Sequence, residues 1–188
     1  MLTPQLEILR EKMMTCEQSS GQTILQHGES VAATFKEIAS GSGDYFIPDF
    51  VRENLQFLLD RCPSADILET YHIFHDCGKP ECLTIDENGK RHFPCHAMVS
   101  ARTWLVAGGD QYIGRLIEHD MDMHTLKAAD IPEYRHMDIA PALLLTAWAE
   151  LNSNARMFGG IESTSFKIKA KSLTKVSRAI IARLKETT

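Results

Sequence analysis

Apolar side chains recur every three or four positions along most of this chain, the spacing of helices that each bury one face. Leu6, Leu9, Met13 and Met14 predict an opening helix, closed by the Ser19-Ser20-Gly21 cluster. Ile24, Val31, Phe35 and Ile38 predict a second, with His27 on the same stripe and Gly41-Ser42-Gly43 as its stop. One helix is expected from about Pro48 to Arg61, and another from the N-cap Ser64 through Leu68, Tyr71 and His75. After Pro80 the segments Cys82-Leu83-Thr84-Ile85 and Lys90-Arg91-His92-Phe93 flank Asn88-Gly89, which predicts a small hairpin and the only β-structure expected. Helices resume with His96, Val99, Thr103 and Val106 on one side, and again through Tyr112, Leu116 and His119. A stripe of Ile139, Leu143, Ala147 and Glu150 ends on an acid, and an amphipathic helix over 163–185 turns Leu173, Val176, Ile180 and Leu184 inward. The expected class is all-α, a helical bundle with one small β-hairpin insertion.

A hydrophobic content of 44% with 24% charged residues describes an ordinary globular protein rather than a disordered one. At 188 residues, one domain spanning 1–188 is expected. No apolar run approaches the roughly 18 residues of a membrane span. Met1 to Arg10 lacks a basic segment followed by a hydrophobic one, so a cytoplasmic location is expected. Cys16, Cys62, Cys77, Cys82 and Cys95 form an odd set without C-x-x-C pairing, which speaks against a disulfide framework and against a structural zinc cluster. The formal charge of −5 hides an asymmetry. Beyond Ser163 the chain carries Lys167, Lys169, Lys171, Lys175, Arg178, Arg183 and Lys185 against the single acid Glu186. Such a run is a solvated helix face, a surface for RNA or another polyanion, or the packing face of a homodimer; DNA is not expected as a partner.

The candidate chemistry lies on the helical stripes. His27, His75, His96, His119 and Glu150 each occupy a helical position that also presents apolar neighbours, and Asp76 is attached to His75. A single histidine on such a stripe is usually a hydrogen-bonded core residue. Five inward imidazole or carboxylate groups from separate helices would leave costly unsatisfied polar atoms unless a cation gathers them. Imidazole and carboxylate without thiolate favour iron, manganese, cobalt, nickel or zinc, with magnesium less comfortable among so many nitrogens. His124 competes with His119, since both close the segment 117–124. His72 lies one turn before His75, where it could orient that ring or serve a solvent-edge or packing role, while His92 and His136 fall in the hairpin and in a charged loop.

These residues also resemble a known family. His-Asp-Cys-Gly-Lys-Pro at 75–80, Thr84-Ile85-Asp86 with Asn88-Gly89, His92-Phe93, His96 and Ser100-Ala101 are similar to the HD domain of bacterial CCA-adding tRNA nucleotidyltransferases, within the HD-domain metal-dependent phosphohydrolases. Glu118-His119-Asp120 with His124-Thr125, and Leu145 to Glu150, extend the resemblance, which runs from about Thr23 to Arg156. It implies His27, His75, Asp76 and Glu150 as ligands of one divalent metal, with Asp76 bridging to a second held by His96 and His119. Glu150 departs from the family's usual Asp. No acidic nucleotidyl-transfer motif precedes His27, so nucleotide addition to tRNA is excluded. The resemblance implies hydrolysis of a nucleotide or RNA-end phosphoester by a metal-activated water, as a phosphatase, nucleotidase or 2′,3′-cyclic phosphodiesterase. Asp76 and Lys79 would be catalytic, Lys79 by placing an ammonium near a phosphoryl oxygen, with a surface lysine after a glycine kink as the other reading of Lys79. Arg102, Arg135 and Arg156 are candidate substrate anchors, with a helix-end salt bridge as the other reading of Arg156. The alternatives are a di-iron HD-type oxygenase and a non-catalytic, metal-containing module that binds a nucleotide or RNA.

Overall fold

The computed structural model describes residues 3–19 and 21–187, so Met1, Leu2, Ser20 and Thr188 lie outside the described residues, including the middle of the expected Ser19-Ser20-Gly21 stop. In chain order the elements are helix α1 (Pro4–Thr15), strands β1 (Glu17–Ser19) and β2 (Gln22–Thr23), and helices α2 (Ile24–Ala39), α3 (Asp49–Glu53), α4 (Leu55–Leu59), α5 (Ala65–Phe74) and α6 (Lys79–Cys82). Strands β3 (Thr84–Ile85) and β4 (Arg91–His92) follow, then α7 (His96–Val106), α8 (Gln111–Glu118), α9 (Asp122–Thr125), α10 (Ala140–Ser153) and α11 (Thr164–Glu186). Short 3-10 helices occupy Ala128–Glu133 and Ala155–Phe158. The fold is thus mostly helical with small antiparallel hairpins. The expected hairpin pairs Thr84 with His92 and Ile85 with Arg91. A second hairpin, β1–β2, was not expected, because Ser and Gln around a glycine carry no β-branched alternation; Gly21 takes the positive φ of 77° that the return of the chain needs.

The chain divides into two compact units, one from residues up to Ala32 with Ala65–Asp120, the other from Ala33–Ser64 with the residues from Met121 onward. In the first, Leu6, Leu9 and Met13 of α1 are buried, whereas Met14 is 55% exposed, one position beyond the stripe. The Phe74 and Trp104 rings pack at 5.2 Å, and Trp104 Nε1 donates to the Asp110 carbonyl at 2.8 Å. Asp110 also caps α8, accepting from the amides of Tyr112 and Ile113. The buried face of α7 is Ala97, Ser100, Ala101 and Trp104, not the expected His96, Val99, Thr103 and Val106, and Val106 is 80% exposed. Trp104, the largest apolar group of that helix, fixes the register one position away.

In the second unit α10 is buried from Ala140 to Asn152. Trp148 Nε1 donates to Ser177 Oγ at 3.1 Å, and the Asn152 side-chain amide accepts from the Phe46 amide and donates to the Phe46 carbonyl. Ser163 caps α11 by accepting from the Phe166 amide, and Leu173, Val176, Ile180 and Leu184 are buried as the stripe predicts. The single helix expected from Pro48 to Arg61 is broken at Asn54, whose side-chain amide takes the Phe50 carbonyl at 2.7 Å while its own amide turns to Val51. Much of the basic charge of α11 is engaged within this unit. Arg183 donates to the carbonyls of Ile131 and Tyr134, Arg178 stacks over Phe50, Lys169 over Phe158 and Lys185 over Phe57.

Candidate metal centre

The His-Asp doublet stands outside regular helix. α5 ends at Phe74 and α6 starts at Lys79, so His75–Gly78 form a turn, with Pro80 fitting the first turn of α6 where no amide partner is needed. Gly78 lets this turn press on α7: its amide donates to Ser100 Oγ at 2.9 Å, and a side chain at 78 would run into the backbone of Val99 and Ser100. Gly28, beside His27, does the same for α2 against the carbonyls of His72 and Ile73. The Gly28 approach sets His27 against the end of α5, and the Gly78 approach sets the doublet against α7, which begins at His96.

His27, His75 and Asp76 are each 1% exposed, and one ligand atom from each lies within 4.8 Å of the others. Asp76 Oδ2 is 3.2 Å from His75 Nε2 and 3.6 Å from His27 Nε2, while Oδ1 is 3.7 Å from His96 Nε2. The orientation of two rings is set by main chain. His75 Nδ1 lies 2.8 Å from the His72 carbonyl, and His96 Nδ1 lies 3.1 Å from that of Phe93. A carbonyl only accepts, so Nδ1 carries the hydrogen, and in the neutral ring Nε2 directs a lone pair at Asp76. His72 therefore orients His75 through its backbone, its own buried ring resting on Tyr71 at 5.3 Å.

Burial drives the Asp76 carboxyl toward the neutral form, but the combined charges of His75, Lys79 and His27 outweigh it and hold the group well below the usual carboxylate range. His96 is moved the other way, its burial disfavouring the charged ring despite the attraction of Asp76. Asp76 Oδ1 is buried without a hydrogen bond from any described residue. Lys79, 8% exposed, meets Asp76 Oδ2 at 2.5 Å and Gln18 Oε1 of β1 at 2.8 Å. Its ammonium is thus held by protein groups rather than extended toward solvent. The nitrogen and oxygen donors around Asp76 fit a first-row divalent cation.

No family model, curated protein or solved structure matches the chain.

The segment after α8 contributes differently from expectation. His119 is its C-cap and half-buried, whereas the adjoining Asp120 is buried, accepts from the Tyr71 hydroxyl at 2.5 Å, and brings a carboxylate oxygen within 4.8 Å of a His75 ring nitrogen. Sequence reasoning passed over Asp120 because His119 beside it looked like the ligand; the cue was the apolar 116–117 pair, which turns position 120 inward with it. In the second unit His124 Nε2 pairs with the buried Glu150 at 2.8 Å. The acid that ends the α10 stripe thus has an imidazole partner in its own unit. Arg102, on the exposed side of α7, and Arg135 and Arg156 are all solvent-exposed. His92 pairs with Asp86 in the hairpin, and His136 lies against the Tyr134 ring. All five cysteines are free thiols. Cys77, beside the doublet, is buried, donates to the Ser100 carbonyl, and has its thiol pKa pushed far up by desolvation, which makes it a packing residue.

Proposed function

We propose that this chain is a metal-dependent phosphohydrolase of the HD-domain type, acting on a nucleotide or RNA-end phosphoester. The observation that carries the reading is Asp76, a buried carboxylate kept ionised with the Nε2 atoms of His75, His27 and His96 at 3.2, 3.6 and 3.7 Å. His27, His75 and Asp76 would hold the metal, with His96 on the other carboxylate oxygen and Asp120 beside His75. A bound divalent cation supplies a water of lowered pKa and positive charge for phosphoryl oxygens. The chain's own groups prepare for that chemistry. The carbonyls of His72 and Phe93 present Nε2 of His75 and His96 as donors to a cation, and the surrounding burial excludes competing water. Lys79 adds a positive charge beside Asp76, where negative charge on a phosphoester would need compensation.

The test is turnover by protein stripped with chelator and reloaded with one divalent metal at a time, on nucleoside monophosphates, 2′,3′-cyclic nucleotides and RNA ends. Phosphate release or ring opening that requires metal is expected, with a loss of roughly 100-fold or more in His75→Ala and Asp76→Asn at unchanged helical circular dichroism. Metal binding without turnover of any phosphoester overturns the hydrolase in favour of a binding module. Oxygen consumption by the iron-loaded protein overturns it in favour of an HD-type oxygenase.

A further inference from the structure

The Lys79 ammonium addresses the same carboxylate oxygen, Asp76 Oδ2, that faces His27 and His75. A cation ligated by these three residues would stand about 2.1 Å from that oxygen, and hence within about 5 Å of the ammonium where it now lies. Two positive charges cannot share one buried carboxylate oxygen at that range without strong repulsion. Lys79 has somewhere else to go: Gln18 Oε1 already accepts from it at 2.8 Å, and the face of Phe93 lies 5.3 Å from its nitrogen. His96 is not contested in this way, since it faces the opposite oxygen, Oδ1.

We infer that Lys79 is an internal competitor for the metal site: a divalent cation takes Asp76 Oδ2 from the ammonium, which is retained by Gln18 and the Phe93 ring and is then able to donate to an anionic ligand. Metal loading and exposure of a lysine N–H donor are thereby one event. This rests on the metal-centre reading above and adds to it a role for Lys79 and Gln18 that the hydrolytic reading alone does not require.

The experiment reads metal affinity, not activity. Chelator-stripped wild type, Lys79→Met, Lys79→Gln, His27→Ala and the Lys79→Met/His27→Ala double variant are titrated with Mn²⁺ by calorimetry and with Co²⁺ by absorption, their folding checked by circular dichroism. Removing the ammonium should tighten binding roughly tenfold or more in whichever Lys79 variant folds, and the double variant should bind more tightly than His27→Ala alone, because Asp76 Oδ2 is still contested when His27 is absent. Equal or weaker binding in the Lys79 variants, with wild type still binding, overturns the competition and leaves the metal centre standing. Absence of binding in the folded wild type and both Lys79 variants overturns the metal centre and the competition together.

Discussion

At Asp76, burial and charge pull in opposite directions, and charge wins. The consequence for stability has a definite sign. As pH falls, the unfolded chain takes up this proton first, near the ordinary carboxylate value of about 4. The contribution of Asp76 is thus fully present above that value and is lost as acidification continues toward the lower folded-state value. Urea unfolding of metal-free wild type and Asp76→Asn, measured from pH 7 down to pH 3, should show a stability difference that changes as wild type loses ground on the acid limb; a difference independent of pH would mean that Asp76 is not held as a carboxylate. At this scale the sequence was partly legible. His27 sat on a clear apolar stripe and the doublet was adjacent in the chain, so their burial followed from spacing. Asp120 and Gln18 did not, since one hides beside a histidine and the other comes from a strand 61 residues from the lysine it touches.

Helix packing delivers these residues, and two glycines set how close it is. A methyl group at Gly28 would collide with the backbone carbonyls of His72 and Ile73, so Gly28→Ala should force α2 away from α5. The expected cost is about 1–3 kcal/mol in denaturant unfolding, accompanied by weaker metal binding because His27 moves with its neighbour. Periodicity located α2, α5 and α11 well because each has one broad apolar face. It misplaced α7 by one position, where small residues and one tryptophan form the inner face, and it joined α3 to α4, because nothing in an apolar pattern reports that Asn54 prefers the Phe50 carbonyl. Close glycine approaches are likewise invisible to a reading that scores side chains.

For the molecule as a whole, a cation bound to the folded chain must raise its stability. At a free metal concentration about 100 times the dissociation constant the gain is about 2.7 kcal/mol. Thermal unfolding followed with chelator and with added Mn²⁺ should therefore separate by several degrees in wild type and coincide in a His27→Ala/Asp76→Asn variant. The basic C-terminal helix, read from sequence as a solvated face, a surface for a polyanion or the packing face of a second copy, places four of its cations over aromatic rings or against main-chain carbonyls of its own unit. Among the described residues no helix is long and apolar enough to cross a membrane. Each unit, finally, is assembled from two separated stretches of chain. On the ribosome the residues of the first are all present once Asp120 has been added, but Ala33–Ser64, with Val51 and Leu58 that end up fully buried, must wait for residues 121–188. At ordinary rates of translation that wait is on the order of ten seconds. A nascent segment with those side chains uncovered is a natural client for a chaperone, and truncation within α11 should strand it permanently.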